Sequence, residues 1–122
     1  MKIEAIHHVS LLVADTELAL GFYRDLLGLA VVERPPLGFP GAWLAIGERQ
    51  LHLLQLPNPD SESMRPAHVG RDRHLALTVS GLDELAQRLA EAGVAVSRSK
   101  SGRNALFCRD PDGNGVELIA AE

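Results

Sequence analysis

The sequence predicts an α+β fold that contains the same βαβββ module twice. In each half of the 122-residue chain, hydrophobic periodicity gives the order strand, helix, strand, strand, strand. A polar stretch rich in Pro, Asn, Ser and Asp separates the halves and is typical of a loop. The halves also align with each other, which is the pattern of an internal repeat. The length suits a single domain with its own core, covering residues 1–122.

The first module is predicted to span about residues 1–57. Its first strand alternates side chains between two faces, and Asp15 then stands where a helix N-cap is favoured. Helical spacing continues to Leu27, and Gly28 is a natural stop. A rigid Pro- and Gly-rich loop leads to a hairpin that turns near Gly47. The four predicted strands of this module cover residues 6–13, 29–34, 42–46 and 50–56.

The second module is predicted to span about residues 73–122, and the polar loop joins it to the first. Its helix is predicted over residues 82–92. Ser80 and Asp83 have the spacing of a capping box, and Gly93 is the stop. The four predicted strands of this module cover residues 74–79, 94–98, 105–109 and 116–120.

The repeat places polar side chains at equivalent positions of the two modules. When His8 is aligned with His74, His52 falls on Glu117. The two spacings are 66 and 65 residues, and the difference of one residue matches a shorter second helix. Both first strands therefore carry a histidine, and both last strands carry a side chain that can bind a metal ion.

We expect the modules to form one curved mixed sheet around an open metal cavity. Imidazole and carboxylate groups are good ligands for Zn, Ni, Co, Mn or Fe, and a catalytic metal leaves a coordination position open for substrate. A carboxylate on the apolar last strand is costly unless it is paired or coordinated. Whether His52 is a ligand depends on register, because a slip of one residue turns a strand side chain to the other face. The predicted metal ligands are His8, His52, His74 and Glu117.

Five segments of the chain resemble the glyoxalase/bleomycin-resistance/extradiol dioxygenase superfamily, the vicinal oxygen chelate proteins. They are HHVSLLVAD, FYRDLLGL, GAWLAIGERQLHLLQ, RHLALTV and DPDGNGVELI, and they cover nearly the whole chain. Each is moderately specific, whereas their order is highly specific. The resemblance implies paired βαβββ modules, a homodimer and a divalent ion that chelates vicinal oxygens of a small-molecule substrate. The family's ligand positions correspond to His8, His74, Glu117 and, in members with four ligands, His52.

The expected function is that of a metal-dependent, glyoxalase-like enzyme with lyase, isomerase or dioxygenase chemistry. The ion would act as a Lewis acid on adjacent substrate oxygens. Glu117 and His52 are the candidate catalytic residues, because either could move a proton. Two alternatives stay open. One is a non-catalytic protein that binds a small molecule of the antibiotic type and confers resistance, and the other is a fosfomycin-type thiol transferase.

The sequence departs from the residue pattern of each individual subfamily, so the reaction and its substrate stay open. Glyoxalase I-like enzymes usually carry Glu or Gln at the position of His52. Fosfomycin thiol transferases carry hydroxyl groups where this chain has Ala105 and Phe107. Extradiol dioxygenases need an acid–base tyrosine, whereas the single tyrosine here, Tyr23, falls within the first predicted helix. Bleomycin-type binding proteins lack the metal ligands, which favours an enzyme here.

The composition argues against several classes of partner. The formal charge of −4 at pH 7 is unlike the basic surfaces that bind nucleic acid or anionic membranes. The apolar runs are much shorter than the roughly 20 residues that span a bilayer. The first residues contain no apolar signal core, and Cys108 is the only cysteine, so we expect a cytoplasmic protein.

Two further groups of residues have ordinary interpretations. Arg98, Lys100 and Arg103 surround a predicted hairpin and could meet an anionic substrate, but a solvated, charged turn is the default interpretation. Cys108 lies in a predicted strand and is expected to be a buried, inert thiol.

Overall fold

The computed structural model describes residues 1–60 and 62–121, and it divides into two compact units, Met1–Pro59 and Asp60–Glu122. Each unit contains a four-stranded mixed sheet and one α-helix. The prediction of an α+β fold built from two βαβββ modules is confirmed. Among the helices of the described residues, none combines the length and the apolar character that a membrane crossing requires.

The first unit contains β1 (His8–Val13), α1 (Thr16–Leu20), a π-helical segment (Gly21–Leu26), β2 (Val31–Val32), β3 (Gly41–Ile46) and β4 (Arg49–Gln55). Its strands form a sheet with the order β1-β4-β3-β2. β1 and β4 are parallel, whereas the other neighbouring pairs are antiparallel, and β3 and β4 form the predicted hairpin.

The strand predicted over residues 29–34 is shorter than expected. Of the residues predicted for this strand, only Val31 and Val32, which form β2, pair with β3. The chain then reaches Pro35 and Pro36, which have no backbone N–H to donate to a neighbouring strand and which restrict the residue before them.

The helix of the first unit begins where the sequence predicts. Asp15 is its N-cap, and Oδ1 of that side chain accepts a hydrogen bond of 3.0 Å from the backbone N–H of Leu18. The backbone N–H and the hydroxyl of Thr16 both donate to Oε1 of Gln55, at 2.8 and 2.9 Å. These two bonds attach the start of α1 to the end of β4.

The helix predicted as far as Leu27 has the expected extent, but it is not α-helical throughout. After α1, the residues Gly21–Leu26 are π-helical, and the N–H of Leu27 donates to the carbonyl of Phe22 at 2.9 Å. The adjacent rings of Phe22 and Tyr23 in this segment are both buried, with their centroids 4.9 Å apart. Gly28 follows with a φ of 80°, in keeping with its predicted role as the stop.

The second unit contains β5 (His74–Val79), α2 (Leu82–Glu91), β6 (Ser97–Arg98), β7 (Ala105–Arg109) and β8 (Gly115–Ala120). The predicted polar loop before β5 contains two 3₁₀ turns, Glu62–Met64 and Val69–Arg71. This unit repeats the topology of the first, with the strand order β5-β8-β7-β6 and parallel pairing of β5 with β8.

Two local predictions for the second unit are wrong. The N-cap of α2 is Gly81 with a φ of 79°, so the helix has no capping box that begins at Ser80. A glycine adopts this left-handed conformation without steric cost, so the helix can begin at the next residue, Leu82. The strand predicted over residues 94–98 consists of Ser97 and Arg98 alone, because only these two pair with β7.

The register confirms the internal repeat at the positions of interest. The third residue of β1, Ser10, lies opposite His52. The third residue of β5, Ala76, lies opposite Glu117. His52 and Glu117 therefore occupy equivalent places in their own sheets, as the alignment of the two halves predicted.

Candidate functional site

The carboxylate of Glu117 is buried within β8 and has two polar partners. Its side chain is 4% exposed. Nε2 of His74 lies 3.2 Å from Oε1, and Nη2 of Arg103 donates to Oε2 at 3.3 Å. A carboxylate without partners in such an environment would be costly. The buried carboxylate is therefore paired, and one of its partners is the histidine that the repeat singled out.

The ring of His74 is held in one tautomer by the backbone. Its Nδ1 lies 2.8 Å from the carbonyl oxygen of Asp72. Because a carbonyl oxygen only accepts hydrogen bonds, Nδ1 must carry a proton. In a neutral ring, Nε2 then presents a lone pair to Oε1 of Glu117. Metal-ligating histidines commonly have this arrangement, with the second ring nitrogen donating to a carbonyl group.

The geometry of this pair fits a divalent ion. Two adjacent ligands that each lie about 2.1 Å from one ion are roughly 3 Å apart. The separation of 3.2 Å between Nε2 of His74 and Oε1 of Glu117 is close to that value. A neutral imidazole nitrogen and an ionised carboxylate both act as acceptors, so a proton or a cation has to lie between them.

Space beside His74 depends on Gly115, a residue that the sequence analysis did not single out. Gly115 lies opposite His74 in the pairing of β5 with β8. A Cβ at this position would stand 2.7 Å from Cγ1 of Val69 and 3.0 Å from Cβ of His74. The absence of a side chain at Gly115 therefore lets the first residue of β5 approach β8 closely.

A network of ion pairs fixes the segment that leads into β5. The carboxylate of Asp72 accepts hydrogen bonds from Arg109 at 2.9 Å and from Arg65 at 3.0 Å. The hydrogen bond from Arg109, with further contributions from Arg65, lowers the pKa of Asp72 to about 2. Arg109 also donates to the carbonyl groups of Gly113 and Pro66. Since the carbonyl of Asp72 holds His74, this network supports the orientation of the predicted ligand.

In the first unit, His52 is a buried ring between two other rings. It is 7% exposed. Trp43 stacks on it with a centroid distance of 4.1 Å and an angle of 4°, and His8 stacks with 4.1 Å and 17°. Nε2 of His52 lies 2.8 Å from Oε1 of Gln50. Burial, reinforced by the neighbouring His8, lowers the pKa of His52, so this ring is neutral near pH 7.

His8 is the more adaptable of the two predicted ligands in the first unit. The residue is exposed, and its Nδ1 lies 2.9 Å from Nδ1 of His7. Nitrogen lone pairs lie in the plane of an imidazole ring, so nearly parallel stacked rings do not direct them at a common point. Joint coordination of one ion by His8 and His52 therefore requires rotation of the exposed His8 ring.

The structure thus brings the predicted ligands together in pairs, His8 with His52 in one unit and His74 with Glu117 in the other. Over residues 1–60 and 62–121, no group of three or more His, Cys, Asp or Glu side chains is gathered as a metal site. Full coordination of an ion by these residues remains a prediction.

Two other expectations have clear outcomes. Cys108 is 2% exposed, which confirms that this cysteine is buried, and burial raises the pKa of its thiol to about 11, so its inertness stays a prediction. Arg103 lies in a solvated turn, as expected, with a side chain that is 59% exposed, but its Nη2 also contacts the buried carboxylate of Glu117. The spacing of 14 residues carries no periodic signal that could have revealed this contact.

Comparison with known proteins identifies the family. The family model described as Glyoxalase/Bleomycin resistance protein/Dioxygenase superfamily matches residues 5–118. The chain is 28% identical to "Glyoxylase I 4" of Arabidopsis thaliana, and the match covers 97% of this chain and 71% of that protein. It is 30% identical to "Glutathione transferase FosA" of Serratia marcescens, where the match covers 95% of this chain and 80% of that protein.

A solved structure is similar over the full length. TnmS3, an antibiotic binding protein from Streptomyces sp. CB03234, has a TM-score of 0.76 and is 26% identical, with 100% of this chain and 99% of that chain covered. Proteins similar to this chain therefore include both transferase and binding functions. Similarity of this kind establishes the architecture and leaves the specific activity open.

Proposed function

Because the chain belongs to the Glyoxalase/Bleomycin resistance protein/Dioxygenase superfamily, we propose that it is a divalent-metal-dependent enzyme acting on a small molecule with vicinal oxygens. The proposed chemistry is that of a lyase, an isomerase or a dioxygenase. The observation that carries the proposal is the pair formed by Nε2 of His74 and Oε1 of Glu117, 3.2 Å apart. Its support is the hydrogen bond from Nδ1 of His74 to the carbonyl of Asp72, which makes Nε2 the ring nitrogen that faces the buried carboxylate, where an ion would replace the proton between the two atoms.

The proposed ligands are His8, His52, His74 and Glu117, with Zn, Ni, Co, Mn or Fe as the ion. When bound, such an ion supplies Lewis-acid polarisation of the substrate oxygens. His74 is held by the carbonyl of Asp72, so its Nε2 is already oriented for coordination.

Glu117 and His52 are the proposed proton-moving residues. The carboxylate of Glu117 is nearly excluded from water, which strengthens its interactions with a reacting group. The ring of His52 is neutral near pH 7 because burial lowers its pKa, so it can accept a proton. We also propose a homodimer in the cytoplasm, where the single cysteine stays reduced.

The test is elemental analysis of protein purified without chelator or affinity tag. We expect about one divalent ion per chain, and we expect His74→Ala and Glu117→Ala to lose it. His68→Ala is the matched control, because His68 accepts a hydrogen bond from Gly70 and lies outside the proposed ligand set. Wild-type protein that takes up none of Zn, Ni, Co, Mn or Fe after reconstitution would contradict the proposal.

The second candidate is a non-catalytic protein that binds a small molecule of the antibiotic type. Two observations favour it: the similarity to an antibiotic binding protein over the full chain, and the stack of Trp43, His52 and His8, which offers ring surfaces rather than converging lone pairs. Tight binding of a small molecule by metal-free protein, without turnover after metal is added, would support this candidate.

A fosfomycin-type thiol transferase has less support from the site. The similarity to FosA favours it, but the positions expected to carry hydroxyl groups hold Ala105 and Phe107, which are 1% and 6% exposed on β7. An assay for addition of a thiol to fosfomycin with each reconstituted ion separates this candidate from the others.

A further inference from the structure

Arg103 lies two residues before β7 and contacts the buried end of Glu117. Its Nη2 donates to Oε2 of Glu117 at 3.3 Å. Charge-assisted hydrogen bonds of this type are commonly about 2.7–2.9 Å long. The contact is therefore looser than an optimised ion pair, and Oε1, the oxygen next to His74, is not the one that Arg103 contacts.

The guanidinium of Arg103 is held at its base and open to solvent. Its Nε and its backbone N–H both lie 3.3 Å from the hydroxyl of Ser101. The side chain is 59% exposed, against 4% for Glu117. A guanidinium carries five N–H donors in a planar fork that matches carboxylate geometry. Arg103 thus has donors to offer to a second anion while it remains beside Glu117.

The charges at this place favour an anionic substrate. With neutral histidines, the proposed ion contributes two positive charges, Glu117 removes one and Arg103 adds one. A site with this excess of positive charge attracts negatively charged oxygens.

From this geometry we infer that Arg103 is a substrate-binding residue, and that the preferred substrates are small anions in which a carboxylate adjoins a second oxygen, such as 2-oxo or 2-hydroxy carboxylates. The inference rests on the proposed metal-dependent function and adds the class of substrate. A rival role for Arg103 is merely to orient Glu117. The two roles differ in their consequence for metal binding. Loss of an orienting residue weakens metal binding, whereas loss of a neighbouring cation leaves it unchanged or strengthens it.

The experiment uses oxalate, a dianion with vicinal carboxylate oxygens, titrated calorimetrically into the full-length protein reconstituted with zinc or manganese. Metal content is measured before and after, so that removal of the ion by oxalate is recognised. Arg103→Gln is expected to bind oxalate roughly ten- to a hundredfold more weakly, the range for loss of a hydrogen bond to a charged group. Arg103→Lys should restore part of the affinity, because it keeps the charge and loses the fork.

Lys100→Gln is the matched control, since it removes one positive charge from an exposed position on the same turn. It should bind oxalate as the wild type does. The inference is overturned if Arg103→Gln binds oxalate with wild-type affinity, if it binds metal more weakly, or if Lys100→Gln loses as much affinity. Failure of the wild type to take up an ion would instead refute the proposed function, and the inference with it.

Discussion

His52 and Glu117 occupy the same position in two sheets of identical topology, and each lies opposite an aromatic residue on the neighbouring strand. Trp43 pairs with His52, and Phe107 pairs with Glu117. The surroundings differ in chemistry. His52 is stacked between rings and neutral, whereas Glu117 is hydrogen-bonded to two nitrogen-bearing side chains. The repeat thus preserves a position in the fold, but the side chain there is an imidazole in the first unit and a carboxylate in the second.

Gly115→Ala should disturb the predicted ligand His74 from the opposite strand. The added Cβ would meet Val69 at 2.7 Å and Cβ of His74 at 3.0 Å, so the backbone or the ligand must shift. We expect a loss of about 1–3 kcal/mol in the free energy of unfolding, as for overpacked sites, together with weaker metal binding. Urea denaturation and metal titration measure the two effects.

Gly21→Ala is the control for that substitution. Gly21 has a φ of −57°, and a Cβ there would meet no heavy atom within 4 Å. The free energy of unfolding should be unchanged or raised by up to about 1 kcal/mol, because alanine is favoured over glycine in helical backbone. Wild-type stability and metal affinity in Gly115→Ala would show that the close approach at Gly115 does not position His74.

Asp72→Asn should destabilise the protein more than removal of an exposed ion pair. The side chains of Asp72 and Arg65 are 7% and 10% exposed, so loss of the carboxylate leaves the largely buried side chain of Arg65 without its counter-charge. Asp60→Asn is the comparison, because Asp60 pairs with Arg73 where the side chains are 48% and 64% exposed, and exposed pairs contribute at most about 1 kcal/mol. Equal urea midpoints for the two variants would refute a structural role for Asp72.

His52 should titrate below the ordinary histidine value of 6.5, because burial favours its neutral form. As the pH falls, this ring is protonated in the unfolded chain before it is protonated in the folded protein. The contribution of His52 to the free energy of unfolding therefore decreases as the pH drops below 6.5. Trp43 is the only tryptophan and stacks on this ring, so its fluorescence should report the titration. The midpoint of this fluorescence titration should lie below pH 6.5. The transition should be absent in His52→Gln and present in His68→Gln. A midpoint above 6.5 would contradict burial as the dominant cause.

Cys108 should resist thiol reagents in the native protein. It is the only cysteine, is 2% exposed and has a pKa raised to about 11 by burial. We expect reaction with a disulfide reagent to be slow in buffer and rapid in denaturant, with one thiol modified per chain. Rapid modification of native protein would show that β7 opens more readily than its burial suggests.

Most of the strands, and the equivalent positions of His52 and Glu117, could be predicted from sequence patterns. The strands β1, β3, β4, β5, β7 and β8 follow from alternation and turn residues, because such preferences act over a few neighbouring positions. The repeat then placed His52 and Glu117 on equivalent strands without knowledge of any contact. The ranges predicted for the two short strands, β2 and β6, were too long, because hydrophobic periodicity does not show where strand pairing stops.

Tertiary structure alone decided what surrounds those side chains. The sequence supplied Glu117 as a carboxylate in an apolar strand, but its contact with Arg103 and the link from Asp72 to Arg109 join residues 14 and 37 positions apart. The stacking of Trp43 on His52 likewise depends on the pairing of two strands. Such contacts depend on how turns and strands fold back on one another, and the energy of each depends on burial, which no local pattern of residues determines.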